Sequence, residues 1–334
     1  MIRGKKVAHI LSVFVVIGMI VSITGMVSAK HDTVVIAKRG TPTVDGIPGD
    51  PEWGPAANVA LSLPVEGGGG PDETTVRAAY DDENIYISVR WEDPTKTQNI
   101  HKGMWTYDAK TGSWSAGQNE DRVYLLWNIN APDFGVGCVV YCHVGFTSWE
   151  VAETKMGTNN PGDTIDVWHW KATRTNPLGS TDDKYWVDLT NAKVIIYEGE
   201  EVKRARLADS GSGFGSSNKD GKLPKYMHLS DPGANIVFLF EHEAVPFDPE
   251  AAWMDGDTVP GYVLKEGMGS EADVETSGGY YDGVWVVEFK RKLDTGNPDD
   301  AVFDVTQETS FSLGISDNSG HSKNGASLLT LRFE

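Results

Sequence analysis

The chain has 334 residues, with 29 Lys and Arg against 48 Asp and Glu and a formal charge of −19. So acidic a surface excludes nucleic acid and anionic lipid as partners, which carry the same sign, and leaves a basic redox partner or plain extracellular solubility. The length suits one large domain or two small ones, and eleven Trp with eleven Tyr supply an ample core.

Arg3, Lys5 and Lys6 precede an apolar run from Ile10 to Met26, and Val27-Ser28-Ala29 offers small residues for cleavage. This is the pattern of an export signal over residues 1–29. Left uncleaved, the run approaches the roughly 20 residues that cross a bilayer and becomes a membrane anchor. Both outcomes predict an extracytoplasmic domain (periplasmic, secreted or on the outer face of the cell membrane), where disulfides and haem attachment are permitted.

Beyond the leader, period-two alternation between turn residues predicts strands, with no long helical period and no internal repeat. A glycine-rich loop at Gly67–Pro71 is followed by strands near Val76–Tyr80 and Ile85–Trp91, joined by a hairpin loop at Asp81-Asp82-Glu83-Asn84. In the second strand Ile85, Ile87, Val89 and Trp91 share one face, and Tyr86, Ser88 and Arg90 the other. Val123, Leu125, Trp127 and Ile129 repeat the pattern. Further strands are expected near Val139–Phe146, Ile165–Trp170, Val194–Tyr197, Ile236–Phe240, Val284–Phe289, Phe311–Ile315 and Ser327–Phe333. Together they predict a mainly β chain, an immunoglobulin-like or jelly-roll-type β-sandwich with long loop insertions. Residues 30–334 read as a single domain. An insertion is expected around 198–232, loosest over Ala208–Leu223, where Gly, Ser and charge leave few anchoring apolar residues.

Cys138-Val139-Val140-Tyr141-Cys142-His143 holds both cysteines of the chain and puts a histidine directly after the second. Two thiols that add to porphyrin vinyl groups, followed by an imidazole in reach of the iron, make up the chemistry of one covalently attached haem c. The usual motif has two residues between the cysteines; here there are three. The same residues also suit a short-range disulfide, whose small loop gains modest entropy. A redox-active dithiol would want a βαβ pattern beside it, and a zinc site further Cys or His near by.

With haem attached, His143 is the proximal axial ligand. For the distal face, His321 lies in a polar loop between two predicted strands, with Lys323 beside it. His169 sits between Trp168 and Trp170, and on a strand it faces away from both indoles. Met104 is a thioether candidate, which would raise the haem potential. Asp81-Asp82-Glu83 and Asp255–Asp257 offer hard oxygens to Ca²⁺, though neither has strict calcium-loop spacing and each also reads as a solvated turn. No nucleophile constellation, phosphate-cradling loop or nicotinamide fingerprint is recognisable, so electron transfer without a catalytic acid or base is expected.

The stretch from Thr43 to Trp53, TVDGIPGDPEW, resembles the opening of a family 9-type carbohydrate-binding sandwich, and Val76–Val89 resembles its following hairpin. That fold is shared with the haem-binding domain of ethylbenzene dehydrogenase γ subunits and their dimethylsulfide-dehydrogenase-like relatives. Glu120–Trp127, Asp166–Ala172 and Phe311–Ile315 resemble the haem branch. The resemblance spans roughly residues 40 to 334. It implies haem held between a methionine and a lysine. Here Cys138–His143 occupies the methionine's location, and Ser316–Ala326, with His321 and Lys323, occupies the lysine's. The chain thus looks like a c-type variant in which His143 replaces the methionine. The resemblance also implies an electron-accepting subunit beside a molybdenum enzyme; a membrane cytochrome b is the alternative partner. The rival expectation is an extracellular carbohydrate-binding module on the same sandwich, with a Cys138–Cys142 disulfide. A third is an enzyme using a five-coordinate haem.

Overall fold

Alternating runs become strands where one face can be buried, and here twelve of them join one sheet. The computed structural model describes residues 33–49, 51–54, 56–61, 74–93, 95–135, 157–197, 199–230, 232–318 and 326–334. The sheet strands are β1 (Thr33–Arg39), β2 (Val59–Leu61), β3 (Thr74–Tyr80), β4 (Asn84–Glu92), β5 (Arg122–Asn128) and β6 (Thr164–Lys171). They continue with β7 (Asp182–Val187), β8 (Arg206–Ala208), β9 (Glu275–Tyr281), β10 (Val284–Lys292), β11 (Thr309–Ser316) and β12 (Ala326–Phe333). Their spatial order is β8-β7-β6-β5-β11-β12-β1-β3-β4-β10-β9, with β2 pairing Thr74–Val76 of β3 and β1 pairing Ala78–Tyr80. β1 runs parallel to both of its neighbours, β12 and β3.

The sheet curls until its distant strands face each other. Arg291 on β10 donates to Asp166 on β6 at 2.6 Å, and the Thr181 amide donates to the Val274 carbonyl at 3.0 Å, beside β7 and β9. Between the two halves lies the main core. Ile85, Ile87, Val89 and Trp91 of β4 meet Val123, Leu125 and Trp127 of β5, as their alternation predicts. Trp168 and Trp170 of β6 and Trp285 and Phe289 of β10 complete it. Trp91 lies parallel to Trp285 at 6.0 Å, Trp170 meets Trp285 edge-on at 5.1 Å, and Trp127 stacks on Phe311 at 4.6 Å. Each such pair adds about 0.5–1.5 kcal/mol beyond its buried area.

The Asp81–Asn84 loop closes as expected: the Asp81 amide donates to the Asn84 carbonyl at 3.0 Å. Asp81 Oδ1 accepts from the Glu83 and Asn84 amides, and its Oδ2 from the Tyr86 hydroxyl. The Val194–Tyr197 expectation holds within the ribbon Lys193–Tyr197 and Glu200–Arg204. Near Ile236–Phe240 only Leu239–Phe240 is a strand. Val139–Phe146 lies outside the described residues.

Within the Ala208–Leu223 region, expected as a loose insertion, short strands pair with distant segments. Gly211–Ser212 pairs with Met268–Gly269, and Gly215–Ser217 with Tyr262–Leu264. Gly215 has φ +113, and a Cβ there would meet the Val263 carbonyl oxygen at 1.9 Å, so glycine permits the close approach. Asn218, fully buried, replaces missing apolar anchors: its side chain donates to the Tyr226 and Pro260 carbonyls and accepts from the Lys225 and Tyr226 amides. A polar side chain thus pins a polar segment.

Trp127→Ala removes the ring that links β5 to Phe303 and Phe311. Urea unfolding should show a loss of about 3–5 kcal/mol, the range for deleting a buried aromatic.

Candidate functional site

β5 and β6 send their indoles inward, so alternation obliges the side chains at the intervening positions to the outer face. The register sets Tyr124 opposite His169, Leu126 opposite Val167, and Ile165 opposite Trp186 of β7. One half of this outer face is apolar: Leu126, Ala131, Ile165, Val167 and Trp186 are buried together, with Tyr124 and Phe134 packed against them. The other half is cationic and holds Arg122, His169 and Lys171.

His169 stacks on Tyr124 at 4.2 Å and 24°. Its Nε2 is buried and has no hydrogen-bond partner among the described residues. Burial, then the cations Lys171, Arg122, Arg174 and Arg206, hold the imidazole well below its usual titration range. A neutral imidazole with an unengaged nitrogen is a competent metal ligand.

Glu120, fully buried, organises the cations. It accepts from the Thr173 amide at 3.0 Å and from Arg174 Nε at 2.6 Å, and lies 3.5 Å from Arg122. Asp182 takes both Lys171 and Lys184, and Lys184 also lies 3.6 Å from Glu271. Burial pulls Lys184 down to about 8. A cleft of about 160 Å³ opens here, lined by Lys171, Arg174, Asp182, Lys184, Tyr262 and Glu271.

On the inner side of β6 and β7 the sign reverses. Asp166, Asp183, Asp209, Asp273 and Asp300 gather near Arg291, whose guanidinium donates to Asp166 and the Ala301 carbonyl. It lies 3.9 Å from Asp183 and 3.6 Å from Asp300. Burial first, and neighbouring carboxylates second, raise Asp183 well above the usual range and Asp209 to about 9. Each adjacent ionised pair would repel by about 3–4 kcal/mol at an effective dielectric near 20.

Cys138, Cys142, His143, His321 and Lys323 lie outside the described residues. Their flanks are described: the cysteine segment joins β5 to β6, and the His321 segment joins β11 to β12. β5 is hydrogen-bonded to both β6 and β11. Met104 sits in the turn before the strand Trp105–Asp108. In that turn Lys102 donates to Asn119, whose amide donates to Asn318 just before the His321 segment. His101, which sequence reading passed over as a ligand, has a buried Nδ1 with no hydrogen-bond partner among the described residues.

Both acidic clusters weighed as Ca²⁺ sites or solvated turns make turn and ion-pair contacts. Asp81 is used by its hairpin, and Asp82 pairs with Arg39. Asp255 accepts from the Ala109 amide and Asp257 from the Met254 amide. The acidic group that sequence reading missed is the buried one. Its available signal was Asp166 inside an otherwise apolar run, since Asp is disfavoured in strands.

The described residues define a mainly β domain built on one curled sheet, with a histidine and several cations beside an apolar patch on its outer face. The chain belongs to the ethylbenzene dehydrogenase family, whose model matches residues 30–326. Among solved structures it is similar to a family 9 carbohydrate-binding module from Caldicellulosiruptor kristjanssonii in complex with cellotriose. The identity is 8%, the match covers 90% of this chain and 94% of that one, and the TM-score is 0.35. The same module in complex with glucose matches at 7% identity over 90% and 96%, also with a TM-score of 0.35. A comparison with curated proteins found no match.

A histidine whose folded titration lies below its unfolded 6.5 binds its proton only in the unfolded state, so its contribution is lost as pH falls through 6.5. Between pH 7.5 and 5.5 the wild type should lose about 1.4 kcal/mol more than His169→Gln in paired urea titrations. Equal losses would mean that His169 is readily protonated in the fold.

Proposed function

We propose that this chain is an exported, mono-haem c-type cytochrome that passes single electrons between partner proteins. Cys138 and Cys142 hold the porphyrin through thioether bonds, and His143 ligates the iron. Bound there, the haem supplies a one-electron iron couple. The observation that carries this reading is the outer face of β5 and β6, an apolar patch bordered by cations, with His169 Nε2 lacking a partner. A porphyrin needs both halves: apolar contact for the macrocycle and cations for its two propionates. Membership of the ethylbenzene dehydrogenase family supports the electron-transfer role.

The connection carrying the cysteines leaves β5 at Asn128, about ten residues before Cys138. The described start of that connection already lies on this face, where Ala131 is buried in the apolar patch and Phe134 packs against it. Arg122 and Arg174, which share Glu120, would stand nearest the propionates, and Leu126, Val167 and Trp186 would give the macrocycle apolar contact. His321 and His169 compete for the distal position. Either one would give the iron a second imidazole beside His143, a ligand pair that would favour electron transfer over small-molecule chemistry. Lys323 and Met104 are the alternatives. The acidic surface fits a basic face on the partner, a molybdenum oxidoreductase subunit or a membrane cytochrome b.

The carbohydrate-binding reading needs exposed aromatic platforms. Among the described residues Tyr281 is the one exposed aromatic ring, and nine tryptophans are buried.

Protein matured in a host competent in haem attachment should be red, heavier than its polypeptide by one haem, with a Soret band that survives acid–acetone extraction. Cys138→Ser with Cys142→Ser should release the haem to extraction. A colourless protein of polypeptide mass that binds polysaccharide would overturn the cytochrome reading. For the distal position, whichever of His321→Ala and His169→Ala turns the low-spin spectrum high-spin identifies the ligand; two unchanged spectra would exclude both.

A further inference from the structure

We propose that Asp183, Asp209 and Asp300 bind one divalent cation, calcium by the chemistry of its ligands, in the buried space between β7, the end of β8 and the connection from β10 to β11. One carboxylate oxygen from each residue lies within 4.8 Å of the other two. Ligands of a single ion at about 2.4 Å stand no further apart than about 4.8 Å, a spacing that all three oxygens meet. Among the described residues no other group of three potential ligands meets this condition.

The second observation is what these oxygens lack. Asp183 Oδ2, both oxygens of Asp209 and Asp300 Oδ1 are buried without a hydrogen-bond partner, as are Asp166 Oδ1 and Asp273 Oδ1. Asp183, Asp209 and Asp300 are 0%, 5% and 3% exposed. Buried acceptors are nearly always paired in native proteins, and a group of six unpaired carboxylate oxygens calls for a partner. Arg291 answers them only in part: its Nη1 donates to Asp166 and stands 3.9 Å from Asp183 and 3.6 Å from Asp300, beyond hydrogen-bond distance, and its Nη2 donates to the Ala301 carbonyl. Lys184, the next cation, faces Asp182 and Glu271.

The donor set chooses the ion. Every ligand atom is a hard carboxylate oxygen, with no His nitrogen or Cys sulfur in the group, which disfavours zinc and copper. Calcium accepts six to eight oxygens in a flexible shell, whereas magnesium keeps several of its own waters. A dication beside Arg291 also removes most of the charge of five clustered carboxylates. The ion would then tie β7 to the β10–β11 connection across the curl, a structural role independent of the haem reading.

The test uses the full chain, stripped with chelator and titrated with CaCl₂. Calorimetry should show one site per chain, and at a hundredfold excess over Kd the melting temperature should rise by about 5 °C. Asp209→Asn removes a ligand oxygen while keeping the size and shape of the side chain. It should melt no lower than the stripped wild type, yet bind calcium at least tenfold more weakly and lose the thermal shift. Asp300→Asn is the second variant, with the same expected loss of calcium response. A stripped wild type that shows neither heat nor shift overturns the proposal. So does a calcium shift that both variants retain in full.

Discussion

Arg291 is a fully buried cation, and the geometry around it depends on one requirement: its charge must be answered inside the fold. It projects from β10 into the space between the two halves of a single curled sheet, and the answer comes from β6 through Asp166. Its guanidinium also lies over Trp168 at 4.9 Å and Phe303 at 5.2 Å. Removing one partner of such a pair costs several kcal/mol, because the other is left buried and uncompensated. The pairing therefore helps to specify which strands face one another across the curl, where apolar packing alone would tolerate several arrangements.

The same two strands divide the chemistry. Trp168, Trp170 and Asp166 point inward from β6, while Ile165, Val167, His169 and Lys171 point outward. A one-residue slip would exchange the two sets, putting indoles where the cations stand and a histidine into the tryptophan core. β5 is constrained in the same way through Trp127 and Leu125. The apolar and cationic outer face is thus a by-product of a core that admits one register, which gives the proposed haem surface a rigid floor.

Cations and carboxylates are sorted by layer. The outer side of β6 and β7 carries Lys171 and Lys184 with Asp182 and Glu120, a set of nearly balanced pairs. The inner side carries five carboxylates against Arg291. A protein this acidic has ample solvent-facing positions for Asp, so burying a surplus of them costs folding energy unless something else neutralises it. The proposed cation supplies that charge.

The sequence by itself determined the fold class and the strands with strong alternation, because Ile85–Trp91 and Val123–Trp127 repeat core-forming apolar residues at every second position wherever they are placed. It also determined that His169 would oppose its flanking tryptophans, a consequence of strand geometry alone. Only the tertiary structure decided which histidines and carboxylates meet. β7, with the sequence DDKYWV, lacks the alternation that marks a strand and forms because β6 and β8 pair with it from both sides. Asp183, Asp209 and Asp300 come from three elements distant in the chain, and nothing local distinguishes them among 48 acidic residues. Local pattern fixes which way a side chain points; closure of the sheet fixes what it points at.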